Sequence, residues 1–430
     1  MQKQEYSYLR PLKAERLGEI RDSYQDISGH LQVREYEHCT LIPLGQIPGQ
    51  SEVNDPNIVV TDCDYCARLD LHTGALILSG NVLYGGYLRR HWGHFIVDTT
   101  ERLWPLFNGN NALNVDAILF FAEDARITDL KGNFEEFFTI LGIKDKVKIC
   151  HDKVSVEHLF VPDTAFEHPK IYSKEFYSVF DALRCKCGVA GRCLNENKKL
   201  FLTRSQLPHA EKFDINIKEL DRLFADNGFE LIAPEKLSLR EFVDKVSDAK
   251  CVASISGTLA HNFLFCNKES EFIIVERTAA NNEYQVGLNL IMGIRPTYID
   301  AFRIPLPQSA VDPFHLFSKT EQMVAFIRDK GWIDNDTFPA DLNARARELR
   351  QFMRIRRSRI AYEMRFFEWE LREAICIAEA CSESQRYYEP WIVGKKPLHF
   401  SDTFRRPFIR NLAKQMFLRV KGWLSCLLKR

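Results

Sequence analysis

The chain has no excess of either charge: Lys plus Arg and Asp plus Glu each number 58 among 430 residues. No global field therefore favours nucleic acid. No stretch approaches the roughly 18 uninterrupted apolar residues of a membrane-spanning helix. The opening Met-Gln-Lys-Gln-Glu-Tyr has no apolar run, so no secretory signal is expected. Residue-level repeats and low-complexity tracts are also lacking. With no export signal, the 12 cysteines are expected to be reduced thiols of a cytoplasmic protein. Cys63-Asp-Tyr-Cys66 and Cys185-Lys-Cys187 with Cys193 together offer four thiolates to zinc. The irregular second spacing and the long separation of the two groups favour free thiols instead.

With 45% apolar residues, the chain is long enough for two domains with real cores and an appendage. Short β-rich runs (58–61, 75–78 and 82–84) precede a first alternating block. That block has strands at 117–121, 147–150 and 158–161, and helices at 134–141 and from Ser173. The Cys/Gly/Asn-rich stretch 185–198 breaks the pattern. A second block follows, with strands at 200–203, 229–232, 251–255 and 272–275. Its helices are 217–227, one opened by the capping box Ser238-Leu-Arg-Glu241, and 258–266. Such alternation predicts parallel sheets covered by helices, with ligands at strand C-terminal ends and in the cleft between domains. The expected division is 1–190, 191–310 and a helical extension, 311–430, containing a long charged helix at 343–380.

The stretch from His91 to Phe107 predicts a helix ending near Pro105. His91, His94, Asp98, Glu101 and Arg102 share one sector, and Trp92, Phe95, Ile96, Thr99 and Leu103 the next. A solvated polar face is the plain reading. Against it stand the strand-like Leu83–Tyr87 leading straight in, and Gly93, where something could approach the backbone closely. His and Asp also suit general-base work near neutral pH. The three-residue separation of His91 and His94 does not match the zinc-protease pattern.

In the second block, Leu200-Phe-Leu-Thr-Arg204 ends a buried strand on a potential diphosphate ligand. Ser254-Ile-Ser-Gly-Thr-Leu-Ala-His-Asn262 runs strand, turn, helix, and leaves the amides of Ser256, Gly257 and Thr258 at a helix N-terminus that attracts an anion. The turn is neither a Walker loop nor a dinucleotide fingerprint. Glu276, at the end of the next strand, is expected to accept from a ribose. The pairs Asp62-Cys-Asp64 and Asp334-Asn-Asp336 read as turn residues.

Taken in order, these blocks resemble glycosyltransferase family 61. They are His94-x-x-x-Asp98 with Arg-Leu-Trp, then Leu-Phe-Leu-Thr-Arg204 with Asn216, then Gly-Phe-Glu-Leu-Ile with Pro234, Ser-Gly-Thr-Leu-Ala-His-Asn262 and Ile-Val-Glu276. The resemblance covers about residues 80–280 and is to the bacterial capsular and lipopolysaccharide type. It implies a GT-B-like α/β fold, two Rossmann-like domains facing across a cleft. It also implies inverting, metal-independent transfer from a nucleotide sugar, expected to be UDP-linked, to a lipid-linked or polysaccharide hydroxyl, with no cofactor. Asp98 and His94 become the catalytic pair; Arg204, Ser256, Gly257, Thr258, Asn262 and Glu276 become the donor site. Ser256 stands where the family usually has histidine, and Glu101 where it often has proline. A non-catalytic envelope-assembly protein of the same fold, binding glycan or lipid-linked saccharide, is the alternative. A metal hydrolase using His91, His94 and Asp98 lacks a further ligand.

After Asp402 there is no acidic residue, while eight are Lys or Arg. Within 404–430, Ile409, Leu412, Met416, Phe417, Val420, Trp423 and Leu427 share a helical face flanked by Arg410, Lys414 and Lys421. That pattern predicts a helix lying in an anionic membrane surface, at the inner face of the plasma membrane. A terminal helix packed on the protein's own surface is the plainer alternative.

Overall fold

The computed structural model describes residues 5–43, 58–60, 65–67, 76–208, 214–278, 282–302, 315–336 and 338. Five parallel strands form one sheet, in spatial order Glu230–Ile232, Asn195–Leu202, Ala249–Ile255, Glu271–Glu276 and Thr297–Asp300. Their near-continuous apolar runs suit a parallel sheet covered on both faces. Alternate residues serve opposite cores. Phe201, Ala253, Ile255, Ile273 and Val275 meet the helices Ile217–Asp226 and Glu321–Asp329. Leu200, Leu202, Val252 and Ile274 belong to a larger cluster with the helices Leu239–Val246 and Glu283–Met292.

The second sheet has seven strands, in order Ile58–Val60, Tyr65–Ala67, Val33–Ile42, Val154–Pro162, Leu76–Leu88, Ala117–Ala122 and Val147–Cys150. It is mixed, where the sequence pattern had predicted a parallel sheet. The last four strands pair in parallel, while Val33–Ile42 runs antiparallel to Val154–Pro162 and to Tyr65–Ala67. Parallel pairing needs a long crossover connection, usually a helix, and the early β-rich segments predict none. The two short strands expected around 75–84 are one strand, Leu76–Leu88, irregular in register between Leu78 and Asn81, where Gly80 has φ +76°.

The large apolar cluster runs from the parallel sheet into one face of the mixed sheet, through Leu83, Ile118 and Phe120. The helices Asn133–Leu141 and Leu239–Val246 are tied end to end. Ser238 and Glu241 form the expected capping box, and the Glu136 carboxylate accepts from the amides of Leu239 and Arg240 at 2.7 and 3.2 Å. The amino-terminal segment, grouped by sequence with the first block, lies instead against the parallel sheet. Tyr298 N donates to Glu5 O and Asp300 N to Tyr8 O, and the helix Pro11–Ser23 follows.

Two expected helices are shorter and less regular. The segment after His91 is an α-turn, Trp92–His94, then a wider π-turn, Phe95–Thr99; that helix stops there, and Pro105 sits in a separate 3-10 turn, Trp104–Phe107. Ile96, Val97, Thr99 and Thr100 are all β-branched and poor helix formers. Thr99 Oγ1 is held to Tyr87 O at 2.9 Å. Arg102 therefore leaves the expected polar stripe; it is fully buried, donates to Pro162 O and lies over the Tyr84 ring. Likewise 258–266 is a four-residue α-helix, Thr258–His261, followed by a 3-10 turn, Asn262–Phe265.

Cys39, Cys150, Cys185, Cys187, Cys193, Cys251 and Cys266 are free thiols. No described group of three or more His, Cys, Asp or Glu is arranged to hold a metal. Among the described residues no helix is long and apolar enough to cross a membrane. Asp334 and Asp336 close a surface turn on Lys319. Cys63, Asp62, Asp64 and the expected helices at 343–380 and 404–430 lie outside the described residues.

Candidate active site

Strand order decides where the parallel sheet can bind. The chain passes from 195–202 outward to its edge neighbour, 230–232, and from 249–255 outward the other way. Between these adjacent strands the connections diverge and leave a crevice at their C-terminal ends. The residues just past those ends, Arg204 and Ser256-Gly257-Thr258, line a cavity of about 1180 Å³.

Gly257 has φ +105° and ψ −158°, a conformation essentially confined to glycine. A Cβ there would come 2.5 Å from an Arg277 guanidinium nitrogen, so Arg277 lies directly over the turn. Arg277 lines the cavity, and its Nε is buried with no hydrogen-bond partner among the described residues. Sequence reading chose its neighbour Glu276. The carboxylate is 3.0 Å from Lys13 Nζ, both side chains being 1% exposed. Burial raises its pKa, opposed by Lys13. Glu276 is thus spent on an internal ion pair and is not on the cleft wall. The two-residue alternation of a strand separates it from Arg277 and was the available signal.

Arg204 is part of a group that the sequence did not disclose. Its Nε is 2.9 Å from Asp214, and the other oxygen of that carboxylate is 2.7 Å from His315 Nδ1. Asp214 is completely buried, while Arg204 and His315 both line the cavity. Burial pushes the Asp214 pKa up to about 6, with Arg204 opposing the rise. The short parallel pairing of Asp214–Ile215 with His315–Leu316 brings them together across a hundred residues of chain.

The other wall comes from the mixed sheet. His91 and His94 follow the end of Leu76–Leu88 and face the cavity. His94 Nδ1 is 2.7 Å from Asp98 Oδ2, and Arg89 Nε is 3.9 Å from the same oxygen. The hydrogen bond to Asp98 raises the His94 pKa, whereas burial lowers that of His91. His94 lines the cavity, and Asp98 stands behind it. Gly93 permits the close approach expected of it: a Cβ would sit 2.7 Å from Thr258 Oγ1. That contact carries one wall to the other. His168 stacks on Tyr284 with ring centroids 3.5 Å apart, and both border the same space. Burial drives His261 down to about 4; its Nδ1 pairs with Gln285 at 2.9 Å.

The structure thus brings His94, Arg204, Ser256, Gly257, Thr258 and Asn262 onto one cavity, with Asp98 one step back. Asn262 is anchored between the walls. Its side-chain carbonyl accepts from Trp92 Nε1 at 3.0 Å and its amide donates one hydrogen to Leu259 O. It lines the cavity with its second amide hydrogen still to place. The four-residue helix after Gly257 is too short for a strong dipole, so anion attraction there depends on Arg277 and Arg204.

The family Glycosyltransferase 61 matches residues 92–273, a span that includes His94, Asp98, Arg204 and the Gly257 turn. The matched span is less than half of the chain and supports a likeness to glycosyltransferase family 61 over that region. No curated protein matches the chain.

Proposed function

We propose, from the family 61 match, that this chain is an inverting glycosyltransferase working by single displacement. The observation that carries the reading is the cavity itself. A histidine–carboxylate pair stands on one wall and two guanidiniums on the other. His94 Nε2 takes the proton of an acceptor hydroxyl as its oxygen attacks the anomeric carbon. The bond from that carbon to the donor's phosphate oxygen breaks on the opposite side, and its electron pair leaves with the nucleoside diphosphate. Arg204, Arg277 and the amides at Gly257 and Thr258 neutralise the departing charge without requiring a metal. Asp98, the other member of the catalytic pair, orients His94 and supports its protonated form, because His94 is the member that faces the cavity.

The two sheets would act as the halves of a GT-B-like enzyme, with the parallel sheet holding a donor such as a UDP-sugar. Cell-envelope glycan synthesis, capsular or lipopolysaccharide, fits a basic segment 404–430 that would hold the cleft near lipid-linked acceptors on the cytoplasmic face of the membrane. One feature favours a non-catalytic glycan-binding role: serine stands at position 256, where the resembled family usually has histidine.

A panel of nucleotide sugars tests the reading, first by thermal shift and then by donor turnover with the full chain. Stabilisation by one donor class with measurable hydrolysis or transfer is expected. Glycan binding without turnover of any donor would favour the non-catalytic role.

A further inference from the structure

We infer that the His168–Tyr284 stack, with Asn282 and Glu283 beside it, is the acceptor subsite and takes a neutral pyranose. The inference rests on the transfer reading above and names a substrate class for the His94 wall.

Two separate elements build the platform. His168 sits in the turn between Phe166–Glu167 and Ile171–Tyr172, which pair antiparallel. Tyr284 is in the first turn of the helix Glu283–Met292. The backbone there is held from behind, because the Tyr24 hydroxyl donates to Glu283 O at 2.9 Å. The two rings stack with centroids 3.5 Å apart and planes 28° from parallel, and both line the cavity. Among the described residues no other ring meets His168, so aromatic packing leaves its second face free. Tyr284 meets His94 edge-on, with ring centroids 5.9 Å apart. A sugar lying on the stack therefore sits beside the base. Burial lowers the His168 pKa, with Asp98 and Glu283 opposing the shift. The neutral ring keeps an electron-rich face, which suits the slightly positive C–H face of a pyranose.

The polar groups beside the stack suit hydroxyls. Asn282 Oδ1 caps the helix by accepting from Gln285 N at 3.4 Å, which turns Nδ2 the other way. That nitrogen is buried with no hydrogen-bond partner among the described residues, a costly state that a ligand oxygen would relieve. Asn282 and Glu283 both line the cavity. The amide donates to one sugar oxygen, and the carboxylate accepts from hydroxyls. Charge then divides the cavity. Glu283 repels a diphosphate, which belongs with Arg204 and Arg277, and leaves the stack to the other substrate. It equally repels an acidic sugar, so the acceptor ring is uncharged.

The test is saturation-transfer NMR titration of the full-length protein with methyl glucoside, galactoside and mannoside at millimolar concentration, each beside its uronide. Calorimetry with UDP, GDP, CDP and ADP, and with sugar conjugates of whichever binds, runs alongside. At least one neutral glycoside should bind, and more tightly than its uronide. His168→Ala should weaken that glycoside about tenfold, the upper range for one aromatic contact. His168→Phe keeps a flat ring and should hold affinity within a few-fold, which separates loss of the platform from loss of the fold. Glu283→Gln should narrow the gap between glycoside and uronide. All three variants should bind the diphosphate and its sugar conjugate as the wild type does. Neutral glycosides that fail to bind, or that bind His168→Ala as they bind wild type, overturn the acceptor subsite and leave the donor reading intact. A uronide that binds better than its neutral counterpart overturns the neutral class. Weakening of the nucleotide sugar without the nucleotide would put the donor's sugar on the stack and also overturn the inference. Failure of all four diphosphates to bind overturns the donor reading and the acceptor assignment with it.

Discussion

His94 Nδ1 and Asp98 Oδ2 are 2.7 Å apart, four residues apart in the chain, on the first turns after a strand end. Asp98 holds the His94 pKa up. A base works only when deprotonated, so the rate climbs as pH rises through the His94 pKa. Asp98→Asn lowers that pKa and should move the acidic limb of kcat/KM to lower pH while depressing the plateau. His94→Gln should lose about 10²–10⁴-fold in kcat, the usual range for a general base. An unmoved acidic limb in Asp98→Asn would assign the proton to another group.

Glu101 is desolvated, and its pKa is raised to about 8, Arg102 and Arg89 opposing the shift and Asp98 and Glu167 adding to it. A carboxyl whose folded pKa lies above its unfolded value stabilises the fold fully only below the unfolded value. That contribution then fades as pH rises through the folded value. Urea midpoints of the wild type should fall between pH 5 and 8, and those of Glu101→Gln should fall less. Parallel pH dependences in the two proteins would contradict a neutral, desolvated Glu101.

Gly93→Ala should destabilise the protein by about 1–3 kcal/mol, the usual cost of overpacking. The new Cβ would meet Thr258 Oγ1 and Cγ2 at 2.7 and 2.8 Å. Adding Thr258→Ala removes both atoms and should recover part of the loss in chemical denaturation. A double mutant as unstable as the sum of the singles would mean that the two walls do not meet there.

Because Glu276 is paired with Lys13, Glu276→Gln should leave discrimination between UDP and 2′-deoxy-UDP unaltered. Lys13→Met strands a buried carboxylate, and breaking such a pair costs about 3–5 kcal/mol. The double variant Lys13→Met/Glu276→Gln should be more stable than Lys13→Met alone. Loss of 2′-hydroxyl discrimination in Glu276→Gln would return the residue to the cleft.

Liposome sedimentation compares the full chain with one ending at Ser401. Binding to vesicles containing anionic lipid should exceed binding to neutral ones, and truncation should remove the difference, at roughly 1 kcal/mol per basic residue near the headgroups. Binding indifferent to truncation would reject the membrane role of 404–430.

Local signals were legible wherever the neighbouring residues decided the outcome. The apolar runs at 200–202, 251–255 and 272–275 are buried strands, and the capping box at Ser238 opens its helix. Gly142, closing Asn133–Leu141, has the left-handed conformation of a helix end. His94 and Asp98 could be paired from their spacing alone, as residues four apart on a helical turn.

What the sequence could not decide was everything that depends on a distant partner. The β-branched run Ile96–Thr100 weakened a helix whose end was then set by Tyr87, and Arg102 was drawn into the core by Pro162. Glu276 and Arg277 are equally polar neighbours, and the buried ammonium of Lys13 selects which of them turns inward. Asp214 and His315 are a hundred residues apart, with no local pattern to mark either, and only the pairing of two short strands makes them one unit with Arg204. Periodicity reports which face of an element is apolar; it contains nothing about which buried charge will meet which. That choice is made by tertiary packing, because a desolvated charge must find its partner wherever in the chain it lies.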